Sequence, residues 1–172
     1  DDYYLAGGTA VALHLGHRRS VDLDFFIEKE FNPLILSKQL AAIGDWKQTD
    51  MEMNTLHGFF NDVAISFLTY KEPLIDKPVE FQGVKIASLT DLMAIKTETI
   101  GSRGSVKDFV DLYEIIRYLK IGLKEVIDIM NKKYGQKNIS IYHYLRSLVY
   151  FKDAEELDRF EDLKLLKPIK WD

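Results

Sequence analysis

From Ser20 to Ile27 the side chains alternate, with Val21, Leu23, Phe25 and Ile27 on one side and Ser20, Asp22, Asp24 and Phe26 on the other. A period of two over this length predicts a β-strand with one apolar and one largely polar face. It commits the first half of the chain to a sheet. Immediately upstream, residues 3–6 read as a short strand, Gly7-Gly8 as a turn and residues 9–17 as a helix carrying Val11, Leu13 and Leu15.

Further along, Asn32-Pro33 opens a helix to about residue 43, with Asn as cap and Pro in the first turn, where a missing N–H costs nothing. Residues 46–56 and 63–70 read as strands around a turn region at Gly58 and Asn61-Asp62. Residues 71–79, with Pro73 and Pro78, read as a loop, and residues 83–87 as a last short strand. The second half is helical. Ser88 with Asp91, and Ser105 with Asp108, place an acid three residues after a serine, as a capping box does. Helices are expected at 89–101, 106–119, 122–134 and 139–151, with Gly104, Gly122 and Gly135 in the gaps. The fold class is therefore α+β, a mixed-sheet lobe at residues 1–87 followed by a C-terminal helical bundle lobe at 88–172.

Composition closes off several functions. With no cysteine among 172 residues, disulfides, thiolate metal sites and cysteine nucleophiles are excluded. His14, His17, His57 and His143 lack zinc-hydrolase spacing, and neither a P-loop nor a G-x-S-x-G elbow occurs. No apolar run approaches the roughly 20 residues that span a bilayer, which predicts a soluble, cytoplasmic protein with no membrane partner. The chain opens on Asp1-Asp2 rather than Met, which predicts an N-terminus truncated from a longer protein. A net charge of -4 argues against a broad nucleic-acid surface, although residues 96–137 hold 9 basic against 6 acidic residues.

Asp22 and Asp24 share a strand face, where two carboxylates suit a divalent ion with oxygen ligands. An edge strand with a solvated face gives the same pattern. Gly7-Gly8-Thr9 ends a strand and opens a helix, where free N–H groups attract phosphate, although a Gly-Gly pair also makes an ordinary tight turn. Lys96 falls inside the apolar stripe of its helix, with Leu92, Met93 and Ile100. Its ammonium either snorkels out, faces an anion, or pairs with Asp108.

The combination of strand, Gly-Gly-Thr, helix and then Arg18-x-Ser20-x-Asp22-x-Asp24 resembles the polymerase-beta-like nucleotidyltransferases. More narrowly, residues 4–26 are similar to the first motif of the AbiEii/AbiGii-type nucleotidyltransferase toxin family. The resemblance implies a nucleotidyltransferase fold and Mg²⁺- or Mn²⁺-dependent transfer of a nucleoside monophosphate from an NTP to a hydroxyl acceptor. It implies Asp22 and Asp24 as metal ligands and catalytic acids, and Gly7, Gly8, Thr9, Arg18, Ser20 and Arg103 around the phosphates. Lys96 would serve the triphosphate, and Lys107-Asp108-Phe109-Val110-Asp111 resembles the last family motif, adding Asp108 and Asp111 as catalytic candidates.

The same resemblance implies an RNA acceptor, the tRNA acceptor end first, and a cognate antitoxin in a type IV or abortive-infection system. Lys132 and Lys133 are the expected RNA contacts. One departure stands out. Many superfamily members carry a third metal-binding acid on a later strand, and this chain has Ser66 there, with Asp62 before the strand. That leaves a non-catalytic nucleotide-binding or protein-interaction module on the same fold as the alternative.

Overall fold

The computed structural model describes residues 2–135, 140–157 and 159–169. The chain runs β1 (Tyr4–Ala6), α1 (Gly7–Leu15), β2 (Leu23–Ile27), α2 (Pro33–Ile43), β3 (Trp46–Glu52), β4 (Thr55–Phe60), β5 (Val63–Thr69), β6 (Val79–Phe81) and β7 (Val84–Ile86). It continues through α3 (Leu89–Ser102), α4 (Val106–Leu119), α5 (Leu123–Tyr134), α6 (Ile141–Ser147) and α7 (Lys152–Leu157) to a 3₁₀ turn at Phe160–Asp162. The architecture is mixed α+β, as the two periodicities require. Seven strands form one sheet in the order β3-β4-β5-β2-β1-β7-β6, with β2 parallel to β5, β1 parallel to β7 and the remaining pairs antiparallel.

Turn chemistry sets the sheet's boundaries. Asn61 and Asp62, both at positive φ, turn β4 into β5, and Gln82-Gly83 do the same between β6 and β7. The expected single strand at 46–56 is two strands, because Asn54 at φ 62° reverses the chain after Met53. Gly58 lies inside β4, where a Cβ would strike the Trp46 ring and the Lys47 carbonyl. The loop expected to reach residue 79 gives way to β6 at that residue.

Asn32 caps α2 by accepting from the N–H groups of Leu34 and Ile35 at 3.0 and 3.3 Å. Ser88 caps α3 by accepting from Asp91 N–H at 3.0 Å. The helix expected at 139–151 is shorter, α6 ending at Ser147 and α7 beginning at Lys152; residue 139 lies outside the described residues.

Leu5, Ala6, Ala10 and Val11 are buried in one apolar cluster with Leu92, Met93, Val106, Val110 and Ile115. The cluster thus runs from β1 and α1 into α3 and α4. It clamps the glycine turn of α1 against the helices that carry Lys96 and Asp108. A second tie comes from far down the chain: Arg18 bridges Leu165 in an isolated antiparallel β-bridge, with Arg19 N–H donating to Lys164 O at 2.9 Å and Leu166 N–H to His17 O at 2.8 Å.

Candidate active site

The site begins at the β1–α1 junction. Gly7 sits at φ 64°, and a side chain there would drive a Cβ into the Asp24 carboxylate; one at Gly8 would strike the Arg18 guanidinium. Glycine is what lets the helix start lie against β2 and the segment before it. Thr9 Oγ1 bonds the Asp22 carbonyl and lies 2.9 Å from Ser20 Oγ, locking the segment ahead of β2 onto the first turn of α1. Asp22 lies one residue before β2 and is exposed, whereas Asp24 is in the strand and partly buried.

Behind this face stands a buried charge cluster. Lys96 Nζ donates to Asp108 Oδ1 at 2.7 Å and meets Asp111 Oδ2 at 2.8 Å. Arg18 grips Asp111 with Nε and Nη2 at 2.6 and 2.8 Å, and His17 Nε2 lies 2.7 Å from the same carboxylate. Asp108 Oδ2 also accepts from the backbone N–H and hydroxyl of Ser105, so one acid fastens the start of α4 and Lys96 together. Burial works against the charged form of Lys96, but Asp111 and Asp108 outweigh it and raise its pKa. Burial likewise disfavours the charged forms of Asp108 and Asp111, yet Lys96 and their hydrogen-bond donors hold both pKa values below the ordinary carboxylate range. Asp24 goes the other way. Burial, reinforced by Asp22, raises its pKa against the opposing pull of Lys96, Ser66 and Arg103.

These groups open onto a cavity of about 610 Å³. Gly7, Gly8, Arg18, Ser20, Asp22, Asp24, Lys96, Arg103 and Asp108 all line it. Thr9 and Asp111 are not among its lining residues; Asp111 is fully buried behind Arg18 and Lys96. Lys96 pairs with Asp108 and also lines the cavity, so its ammonium does not snorkel free. Lys133 departs from its expected exposure: it is buried, donating to Asp91 Oδ1 at 2.7 Å and to Pro73 O at 3.0 Å. Exposed basic residues at the cavity are instead Arg19, Arg103 and Lys107.

The sheet adds residues that periodicity could not assemble. Register sets Asp24 beside Ser66, Ser66 beside His57 and His57 beside Asp50, a row across β2, β5, β4 and β3. His57 and Ser66 line the cavity too. The alternation within 55–60 places His57 on a definite face, but only the strand order says what that face meets. Among the described residues no group of three His, Asp or Glu side chains is gathered as a metal cage. Asp22 and Asp24 are a pair of hard oxygen donors, and the raised pKa of Asp24 marks a carboxylate that a cation would relieve.

A family model described as "Nucleotidyl transferase AbiEii toxin, Type IV TA system" matches residues 1–67. An uncharacterized protein of Aquifex aeolicus (strain VF5), aq_aa25, is 37% identical over 168 residues, covering 95% of this chain and 80% of that protein. The chain belongs to the AbiEii nucleotidyltransferase toxin family. Solved structures share the fold of this AbiEii protein at low identity. The antibiotic-resistance factor ANT(2'')-Ia superposes with a TM-score of 0.57 at 13% identity, covering 84% of this chain and 85% of that chain. The Megavirus polyadenylate synthase gives 0.51 at 13% identity over 70% of this chain and 29% of its own. JHP933 from Helicobacter pylori gives 0.50 at 16% identity over 91% and 85%. The AbiEii chain is a nucleotidyltransferase. No helix among its described residues is long and apolar enough to cross a membrane.

Proposed function

We propose that the cavity transfers a nucleoside monophosphate from an NTP to a hydroxyl at an RNA end, the tRNA acceptor end first, as the toxin of a type IV toxin–antitoxin pair with a cognate antitoxin. The observation that carries this reading is the meeting of two opposed charge sets in one cavity: Asp22 and Asp24 on the sheet side, Lys96 and Arg103 on the helical side. The sheet half, residues 1–87, would hold the metal and the start of the phosphate chain, and the helical half, 88–172, the compensating cations.

Asp22 and Asp24 would hold Mg²⁺ or Mn²⁺, which when bound supplies Lewis-acid polarisation of the phosphoryl oxygens. The N–H groups at Gly7 and Gly8 offer donors to phosphate oxygens, with the positive end of α1 behind them and Thr9 holding Ser20 in place. Lys96, fixed by Asp108 and Asp111, and Arg103 stabilise the charge that builds on the departing pyrophosphate. Arg18 is held bidentately by Asp111, so its part is to keep a positive wall beside Gly8. Little covalent chemistry is asked of the protein; position and charge suffice for this class of transfer.

Support for RNA comes from the exposed Arg19, Arg103 and Lys107 at the cavity, since phosphate contacts require clustered cations. The test is transfer of label from each α-labelled NTP, with Mg²⁺, to tRNA, other RNAs, protein and aminoglycoside acceptors. Label should enter RNA, be lost in Asp22→Asn and Asp24→Asn, and RNA binding should fall steeply with salt and in Arg19→Ala and Lys107→Ala. Transfer that survives both aspartate changes overturns the assignment. NTP binding without transfer to any acceptor would favour the non-catalytic alternative.

A further inference from the structure

The row that ends on His57 is unexplained by metal and phosphate binding alone. Ser66 occupies the strand position where an acid was expected, and the register sets it beside Asp24. His57 Nδ1 lies 2.8 Å from Ser66 Oγ. That contact has two forms: Oγ donates to Nδ1, or Nδ1 carries the hydrogen and donates to Oγ. The second form leaves Nε2 as the unprotonated, basic nitrogen of a side chain that lines the cavity.

We infer that His57 is the general base of the reaction, taking the proton of the acceptor hydroxyl in place of the acid that Ser66 replaces. The inference rests on the nucleotidyl-transfer reading of the cavity. In the step, the acceptor O–H oxygen forms a bond to the α-phosphorus as the bond from that phosphorus to the β-phosphate's bridging oxygen breaks. Pyrophosphate departs with the electron pair, and the proton passes to His57 Nε2 and then to solvent. Asp50 stands opposite His57 on β3, Ser66 and Asp24 follow on β5 and β2, and the same cavity holds the acids Asp22 and Asp108 and the cations Arg18, Arg19, Lys96, Arg103 and Lys107. The other face of β4 is turned to Trp46 and to Gly44 at the end of α2, where Cβ atoms at Gly58 and Gly44 would meet the Trp46 and Phe60 rings.

The experiment compares wild type, His57→Gln, Ser66→Ala and Asp22→Asn in the labelled-NTP assay. It also follows NTP affinity by calorimetry, thermal melting, and the ¹⁵N resonances of the His57 ring. His57→Gln should melt within a few degrees of wild type and bind NTP with unchanged affinity, yet lose about 10²–10⁴-fold in kcat. In a further variant, His57→Ala, added imidazole should restore part of the rate. The wild-type ring should resonate as the Nδ1–H tautomer, and Ser66→Ala should release that preference. Turnover that is lost in Asp22→Asn but kept in His57→Gln overturns the base alone, as does a wild-type ring protonated on Nε2. A wild type that transfers no label overturns the transfer reading and the base together.

Discussion

At the scale of single residues, Lys96 and Asp24 are opposite cases. Lys96 is buried at 5% exposure between two carboxylates, Asp108 and Asp111, and pairs with both. Exchanging it for Met fits the apolar stripe of Leu92, Met93 and Ile100 but leaves Asp108 and part of Asp111 without their ammonium. Lys96→Met should therefore cost roughly 3–5 kcal/mol, the usual penalty for orphaning one side of a buried pair. Urea unfolding read by circular dichroism checks it; a variant as stable as wild type would show that Arg18, His17 and Ser105 satisfy the two acids by themselves. Asp24 carries the reverse imbalance, since its charged form is disfavoured by burial and by Asp22. A raised folded-state pKa means that the ionised carboxylate subtracts from stability above that pKa and that protonation relieves it. Asp24→Asn should accordingly raise the melting temperature at pH 7 while abolishing nucleotidyl transfer, and a fall in melting temperature would refute the assigned balance. The site keeps a carboxylate that the fold alone would prefer neutral.

At the scale of elements, the start of α4 decides where the cationic wall stands. Asp108 Oδ2 receives both donors of Ser105 while Oδ1 receives Lys96, so the helix cap and the lysine share one side chain. Ser105→Ala removes one of the two bonds to Oδ2 and should cost about 1 kcal/mol, with a weaker NTP affinity as Asp108 gains freedom; unchanged stability and affinity would place the control of Lys96 in Asp111 alone. This coupling was half visible in the sequence. The serine and acid three residues apart are a local signal, and so are the alternation around β2 and the caps of α2 and α3. The split of β3 from β4 was not, because Asn54 takes its left-handed turn without a following glycine to announce it. Nor was the Asp24–Ser66–His57 row, which exists only once β5 lies between β2 and β4. Lys133 was misplaced for the same reason. Its local sequence is a basic helix end, and the acid that draws it inward, Asp91, is 42 positions away. Periodicity reports which face a residue takes, while long-range pairing decides what that face meets.

For the whole molecule, the buried acids set the response to pH. Asp108 and Asp111 have folded-state pKa values below their unfolded ones. Their contribution is fully present above the unfolded carboxylate pKa of about 3.9 and is lost as pH falls through the folded values. Melting temperature should hold from neutrality to about pH 5 and fall steeply below about pH 4, with a shallower acid limb in Asp111→Asn. An unchanged limb would move acid lability to other carboxylates. The same cluster joins distant stretches of chain: Arg18 is held by Asp111, 93 positions on, and its backbone is bridged by Leu165. Proteins are made from one end, and this pairing gives the making an order. A chain growing on the ribosome can form the strand, the glycine turn and α1 early. The Arg18 segment lacks its last backbone partners until residue 166 has left the exit tunnel. A translation product that stops before residue 164 carries the motifs around Arg18 without the bridge that holds them in place.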